Sequence, residues 1–107
     1  MNNQKFEKVV NEQLERCKNL LLKKGKEYDH STEDRLHVFK VAGQLEGITP
    51  RQALAGMMAK HTISIYDLVS SDCQSIALWN EKITDHINYL LLLRALIEEA
   101  QDDEFTI

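Results

Sequence analysis

The sequence predicts a single-domain, all-α protein whose helices form a four-helix bundle. The chain has 107 residues, enough for one hydrophobic core and one domain. It contains one proline and four glycines, so residues that interrupt helices are rare and the helices are expected to be long. Apolar residues recur at the period of an α-helix along four segments joined by short connections, and this pattern is typical of a helical bundle.

The first predicted helix covers residues 3–24 and ends at Gly25. Lysines precede that glycine, and they suit the negative end of the helix dipole. One side of this helix carries an apolar stripe that we expect to face the core. The stripe comprises Phe6, Val9, Val10, Gln13, Leu14, Cys17, Leu20 and Leu21.

The second predicted helix begins near Thr32 and ends at Gly47. Ser31 and Asp34 have the spacing of a capping box, in which side chains bind the free N–H groups of the first turn. Glycine is the residue that most often follows the last turn of a helix. This helix is expected to be amphipathic.

The third predicted helix has the strongest start signal in the chain. Thr49 is placed as its cap, Pro50 as its first residue and Gln52 as its third. The helix is expected to run to about Val69, followed by a loop over residues 70–75.

The fourth predicted helix runs from about Ile76 to about Glu99. Its second half is apolar around much of its circumference, which three partner helices would struggle to cover, so we expect it to dimerise the protein. The domain is expected to comprise residues 1–100, with residues 101–107 as an acidic, flexible tail. The apolar side chains are Tyr89, Leu90, Leu91, Leu92, Leu93, Leu96 and Ile97.

Charge and composition exclude several classes of protein. Of 17 acidic residues, five follow Arg94, so residues 1–97 hold 12 acids and 13 bases and the net charge of −4 belongs to the tail. No large basic face results, which argues against duplex DNA as a partner. No segment has the length of a signal peptide core or a membrane span, and the two cysteines are far apart. We expect a cytoplasmic protein, in the host cytoplasm if a phage encodes it, without a membrane partner.

Glu81 and Asp85 lie one turn apart on the fourth helix, and apolar side chains continue along the same line. A carboxylate at the edge of an apolar sector is paired, hydrogen-bonded or metal-bound, because an isolated buried charge is costly. Two such carboxylates suit Mg²⁺, which prefers oxygen ligands. The alternative is ion pairing, of Glu81 with a lysine and of Asp85 with Lys60, His61 or Arg94.

The third helix carries Lys60, Ser64 and Asp67 on one face. A lysine can hold a phosphate as a point charge, and Asp67 could add a third carboxylate to the acidic pair. His61 falls on the neighbouring apolar stripe. Both a hydrogen-bonded core histidine and a catalytic histidine fit that position.

A polar segment, residues 23–34, joins the first two helices. It contains Lys26, Tyr28 and Glu33, and Arg35 follows it. Free N–H groups at the start of the second helix suit an anion, and Tyr28 suits stacking on a base. The alternative is a solvated loop that Tyr28 anchors to the core.

The order of these motifs resembles that of the MazG-like all-α nucleoside triphosphate pyrophosphohydrolases, and of small phage proteins connected with nucleotide metabolism. The matching stretches lie within residues 24–97. They are K26-E-Y-D29, R35…F39, G47-I-T-P50, K60-H61…S64…D67 and E81…D85…Y89.

The resemblance implies an all-α dimer or tetramer in which acidic side chains hold Mg²⁺ against a triphosphate. Water then releases pyrophosphate and the nucleoside monophosphate. Carried over to this chain, the resemblance implies that Glu81 and Asp85 are metal ligands and that Lys60 contacts a phosphate. Together with the patterns described above, we predict Glu81, Asp85 and Lys60 as catalytic residues and Glu81, Asp85, Asp67 and Glu33 as metal ligands. The predicted substrate contacts are Lys26, Tyr28, Arg35, His61, Ser64 and Tyr89.

An alternative hypothesis is a non-catalytic phage accessory protein. The MazG-like family carries an E-x-x-E motif on its other acidic helix, whereas the second helix here offers Glu33, Asp34 and the distant Glu46. Such a chain could sequester a nucleotide signal or inhibit a host defence enzyme as an anti-CRISPR or other anti-defence protein. Its acidic tail could then mimic nucleic acid for a host protein. A purely structural helical adaptor is a third hypothesis.

Overall fold

A computed structural model describes residues 1–27 and 34–105 of the chain, and the side chains of 1–23 and 34–101. The described residues form four α-helices and no strand, so the all-α prediction is confirmed. The helices are α1 (Asn3–Glu27), α2 (His37–Glu46), α3 (Pro50–Val69) and α4 (Ile76–Phe105).

The predicted boundaries around α3 are confirmed. Gly47 ends α2 in the left-handed conformation, with φ of 71°, which glycine adopts without strain. The Thr49 hydroxyl accepts a hydrogen bond from the backbone N–H of Gln52, and the Gln52 side chain accepts one from the N–H of Thr49. This reciprocal capping box satisfies free N–H groups at the start of α3. The helix ends at Val69, as predicted.

The predicted ends of α1 and α4 are wrong. Helix α1 continues through Gly25 to Glu27, because glycine inside a helix costs only about 1 kcal/mol and is a weak stop signal. Helix α4 continues to Phe105, because no glycine or proline follows Glu99 to interrupt it. The flexible tail and the domain limit at residue 100 stay predictions.

The second helix begins at His37, not near Thr32. The Asp34 carboxylate accepts a hydrogen bond from the N–H of Leu36, and its backbone carbonyl accepts one from the N–H of His37. Asp34 therefore closes a turn ahead of the helix rather than standing in its first turn. The proposed cap Ser31 lies outside the described residues.

Helices α2, α3 and α4 enclose one hydrophobic cluster. Leu36, Phe39, Leu54 and Leu96 are its buried members, and Leu54 is completely inaccessible to solvent. Gly43 allows the close approach of α2 to the start of α3, since a Cβ atom there would lie 2.8 Å from the carbonyl oxygen of Ile48. The partly buried side chains packed against the cluster are Met57, Met58, Tyr89, Leu92 and Leu93.

Helix α1 lies along α4 and, within the described residues, does not contact α2 or α3. Cys17 of its apolar stripe is buried, but Phe6, Val10 and Leu14 are exposed. The molecule measures 50 × 28 × 26 Å, so it is elongated. A closed four-helix bundle, in which α1 would also contact α2 or α3, stays a prediction.

The apolar second half of α4 is covered by the chain itself more fully than expected. Tyr89, Leu92, Leu93 and Leu96 pack in the cluster of α2, α3 and α4. Leu90 and Leu91 remain on the surface. Within the described residues, no helix has both the length and the apolarity to cross a membrane.

Candidate functional site at the seam of α3 and α4

The six residues 70–75 join α3 to α4, so the two helices return on each other and their midpoints meet. At this seam, Oγ1 of Thr62 lies 2.9 Å from Nε2 of His86, within hydrogen-bonding distance. The rings of His61 and Tyr89 are in contact, with centroids 4.7 Å apart and planes tilted by 36°. The structure therefore brings together two predicted site residues, His61 and Tyr89, from different helices.

Asp85 is half-buried and lies close enough to His61 to influence its charge. Burial lowers the pKa of His61 from its ordinary value of 6.5; the Asp85 carboxylate opposes this shift, while Lys60 and Lys82 reinforce it. His61 is therefore neutral at pH 7. A neutral imidazole can stack or share a hydrogen bond, but it does not supply a positive charge to a phosphate.

Neither Glu81 nor Asp85 forms an ion pair among the described residues. Arg94, which the sequence offered as a partner for Asp85, pairs instead with Glu98 one turn further along α4. Glu81 is exposed. Among the described residues, the half-buried Asp85 carboxylate thus has no cation within ion-pair distance, and it lies near enough to His61 to act on the charge of its ring.

The α3 residues of the predicted site lie along one flank of that helix. Ser64 is half-buried, whereas Lys60 and Asp67 are exposed. Their spacing of four and three residues keeps them on one side of α3. Lys60 influences the pKa of His61, which places its charge near the seam.

The remaining predicted site residues lie near the start of α2 or outside the described part of the chain. Arg35 donates a hydrogen bond to the carbonyl oxygen of Leu21, at 3.3 Å, and so ties the start of α2 to α1. Lys26 belongs to α1, but its side chain is not among those described. Tyr28 and Glu33 lie outside the described residues.

The donor chemistry of Glu81 and Asp85 fits Mg²⁺, which binds one or two carboxylates and retains several waters. In the part of the chain that the structure describes, no three side chains of His, Cys, Asp or Glu lie together as a candidate metal group. Two carboxylates on one helix are therefore the ligands that this region offers. Glu33 stays a predicted further ligand.

Sequence reasoning missed a charged contact that joins α2 to α4. Lys40 forms ion pairs with both Asp34 and Glu99, and the two carboxylates raise the pKa of its amino group. Lys40 borders a cavity of 610 Å³ between the end of α2, the start of α3 and the last turns of α4. No periodicity signals the pair of Lys40 and Glu99, because the two residues are 59 positions apart in the sequence.

No protein-family model, no curated protein and no solved structure matches this chain.

Proposed function

We propose that the chain binds a nucleoside triphosphate with Mg²⁺ at the seam of α3 and α4, and hydrolyses it to the monophosphate and pyrophosphate. The observation that carries this proposal is the half-buried Asp85 carboxylate, which acts on the charge of His61, has no ion-pair partner among the described residues and has Glu81 one turn away. A carboxylate in such a place is stabilised when a cation binds it.

The residues around Asp85 suit the rest of a nucleotide. Lys60 supplies a positive charge for phosphate oxygens, and Ser64 a hydroxyl on the same flank of α3. The ring pair of His61 and Tyr89 offers apolar and aromatic surface to a base. Arg35, Lys26 and Tyr28 are further proposed substrate contacts, and Asp67 and Glu33 are further proposed metal ligands.

In the reaction, a water oxygen forms a bond to the α-phosphorus as the bond from that phosphorus to the bridging oxygen breaks. Pyrophosphate leaves with the bonding electrons, and the proton of the water passes to solvent. Mg²⁺, when bound, would offset the negative charge of the phosphates. Glu81 and Asp85 would hold the cation in place, and Lys60 would orient the phosphate chain.

The test is release of pyrophosphate from a panel of nucleoside triphosphates with and without Mg²⁺. We expect Mg²⁺-dependent release, lost about 100-fold or more in Asp85→Asn, since a displaced metal or substrate has an effect of this order. Glu12→Gln on α1, where Glu12 forms an exposed ion pair with Lys8, is the matched control and keeps its activity. If the wild type releases no pyrophosphate at high protein concentration, the proposal of a hydrolase is wrong.

The non-catalytic hypothesis is favoured by a different observation, the exposed apolar side chains Phe6, Val9 and Leu14 on α1. Such a surface suits a protein partner, for example a host defence enzyme, or a second copy of the chain. Calorimetry with cyclic and linear nucleotides separates the two hypotheses. Tight binding without turnover supports the accessory protein that sequesters a nucleotide signal.

Independently of the hydrolase, we propose that the chain is a four-helix bundle that dimerises through α4. On α4, the side chains of Leu90 and Leu91 remain 47% and 44% exposed. Side chains of this size are stabilised when a second subunit removes them from water.

A further inference from the structure

The outer sides of α3 and α4 carry large apolar side chains that no described part of the chain covers. Their exposed fractions run from 36% at Ile83 to 70% at Ile76. We name this set the outer α3–α4 face, and contiguous exposed apolar surface of this kind marks an interaction site. Its members are Tyr66, Val69, Ile76, Ile83 and Leu90.

The face is continuous across the two helices. The hydrogen-bonded pair of Thr62 and His86 joins them at mid-length. Tyr66 lies one turn after Thr62, while Ile83 and Leu90 lie one turn to either side of His86. The apolar side chains of the two helices therefore flank the same seam.

The spacing of the α4 members indicates what covers them. Ile76, Ile83 and Leu90 are seven residues apart, and the half-buried Ile97 continues the series. A seven-residue apolar repeat is the spacing of helices that pair along their whole length. The partner is therefore another long helix with a matching repeat, and α4 of a second copy has it.

We propose that the outer α3–α4 face joins two copies of this chain, with the two α4 helices antiparallel about a two-fold axis near Ile87. This register sets Ile83 against Leu90 of the second copy, and Arg94 against Trp79 of the second copy. A parallel pair would set Arg94 against Arg94, which like charges disfavour. The pairing is the isologous contact that closed dimers use.

The dimensions suit a stable dimer. From Ile76 to Ile97 the helix is about 32 Å long at 1.5 Å per residue, and two packed helices are about 20 Å wide. That footprint is comparable with the roughly 800 Å² per partner that stable interfaces bury. Arg94 interrupts the face only at one end, and Glu98 of its own chain neutralises it.

The dimer face is separate from the proposed nucleotide site. Successive residues of a helix are about 100° apart, so Ile83 and Asp85 are roughly 200° apart and lie on opposite sides of α4. Pairing through Ile83 therefore leaves Asp85 accessible and brings no acidic side chain of the partner to it. The inference does not depend on the proposed hydrolase.

The first test measures molar mass by light scattering at micromolar protein. We expect a dimer for the wild type and a monomer for Ile83→Glu/Leu90→Glu, with helical content unchanged by circular dichroism. The control, Phe6→Glu, changes a more exposed apolar residue on α1 and stays a dimer. A monomeric wild type, or a dimeric double variant, overturns the proposal.

The second test settles orientation and does not rely on a disruptive variant. In a Cys73→Ser background, a mixture of Ile83→Cys and Leu90→Cys proteins should form a disulfide-linked heterodimer on mild oxidation. Leu90→Cys alone should not form a disulfide. In the antiparallel pair, residue 90 of one copy lies about 10 Å along the helix axis from residue 90 of the other. That separation exceeds the ~7 Å limit between the Cα atoms of a disulfide. Efficient linkage of Leu90→Cys to itself overturns the antiparallel arrangement.

Failure of this proposal and failure of the proposed function are distinguishable. If the monomeric double variant binds nucleotide and Mg²⁺ as the wild type does, the site is complete within one subunit and the face serves assembly. If it loses binding while retaining its fold, the separation of the two surfaces on α4 is wrong.

Discussion

The side-chain amide of Gln13 donates a hydrogen bond of 2.9 Å to the hydroxyl of Thr84, across 71 residues of sequence. Thr84 is 5% exposed, and this bond links α1 to α4 at a point where both apolar stripes are interrupted by a polar residue. The same Gln13 nitrogen lies 3.5 Å from Sγ of the buried Cys17. The contact fixes the position of α1 along α4, since only one register satisfies both groups.

Thr84→Val should therefore destabilise the protein by about 1–2 kcal/mol, because it preserves shape but leaves the Gln13 amide without its acceptor. Urea unfolding at a fixed protein concentration measures the change. Gln13→Leu combined with Thr84→Val should recover much of the loss, since no polar group is then left unpaired. Strictly additive losses in the double variant contradict a coupled pair.

Leu54→Ala should cost about 2–5 kcal/mol of stability, because Leu54 is fully buried where α2, α3 and α4 meet and its removal leaves a cavity. Leu45→Ala is the matched control on α2, where the side chain is 82% exposed, and should change stability by less than about 0.5 kcal/mol. Equal effects of the two substitutions would mean that the core lies elsewhere.

Two of the helical glycines, Gly43 and Gly56, should respond in opposite directions to alanine. Gly43→Ala destabilises, because its Cβ atom would lie 2.8 Å from the backbone oxygen of Ile48, which cannot move without disturbing the turn into α3. Gly56→Ala meets no atom within 4 Å and should stabilise by about 0.5–1 kcal/mol through helix propensity. Thermal unfolding of the pair checks the packing of α2 on α3.

Stability should fall as the pH is lowered through about 6.5, with His61 as a contributor. Burial lowers the pKa of His61 in the folded state below its ordinary value of 6.5, so the unfolded chain binds this proton more readily. Stability rises with pH wherever the unfolded state binds more protons, so the loss begins near pH 6.5 and continues until the folded pKa is passed.

His61→Phe should remove this contribution to the pH dependence while preserving a ring against Tyr89. The free energy of unfolding is measured by urea titration at several values of pH between 8 and 5. A pH dependence that is identical in wild type and variant would mean that His61 is not desolvated at the seam.

Local sequence signals predicted the elements well where a residue acts on its immediate neighbours. The capping box of Thr49 and Gln52 and the glycine at 47 gave boundaries that the fold preserves, because caps bind groups within one turn. The same logic failed at Asp34, whose carboxylate binds both Leu36 and Lys40. A short-range pattern does not distinguish a turn from a cap when both use the same side chain.

For the candidate site, spacing predicted that Glu81 and Asp85 share a side of one helix, and that Lys60 and Ser64 share a side of another. Spacing did not predict that His61 meets Tyr89, or that Arg94 turns to Glu98 rather than to Asp85. These contacts depend on the rotation and register of α3 against α4. Those parameters follow from the packing of all side chains at once.

The sequence by itself determined that this chain is all-α, where α3 begins and ends, and which side of each helix is apolar. Helical periodicity and capping are properties of consecutive residues, so they can be recognised from the sequence alone. Only the tertiary structure decided that α1 packs along α4 rather than along α2 or α3, and that the charge of Asp85 acts on His61. It also left the seven-residue stripe of Ile76, Ile83 and Leu90 uncovered, because the core of α2, α3 and α4 buries the other side of α4.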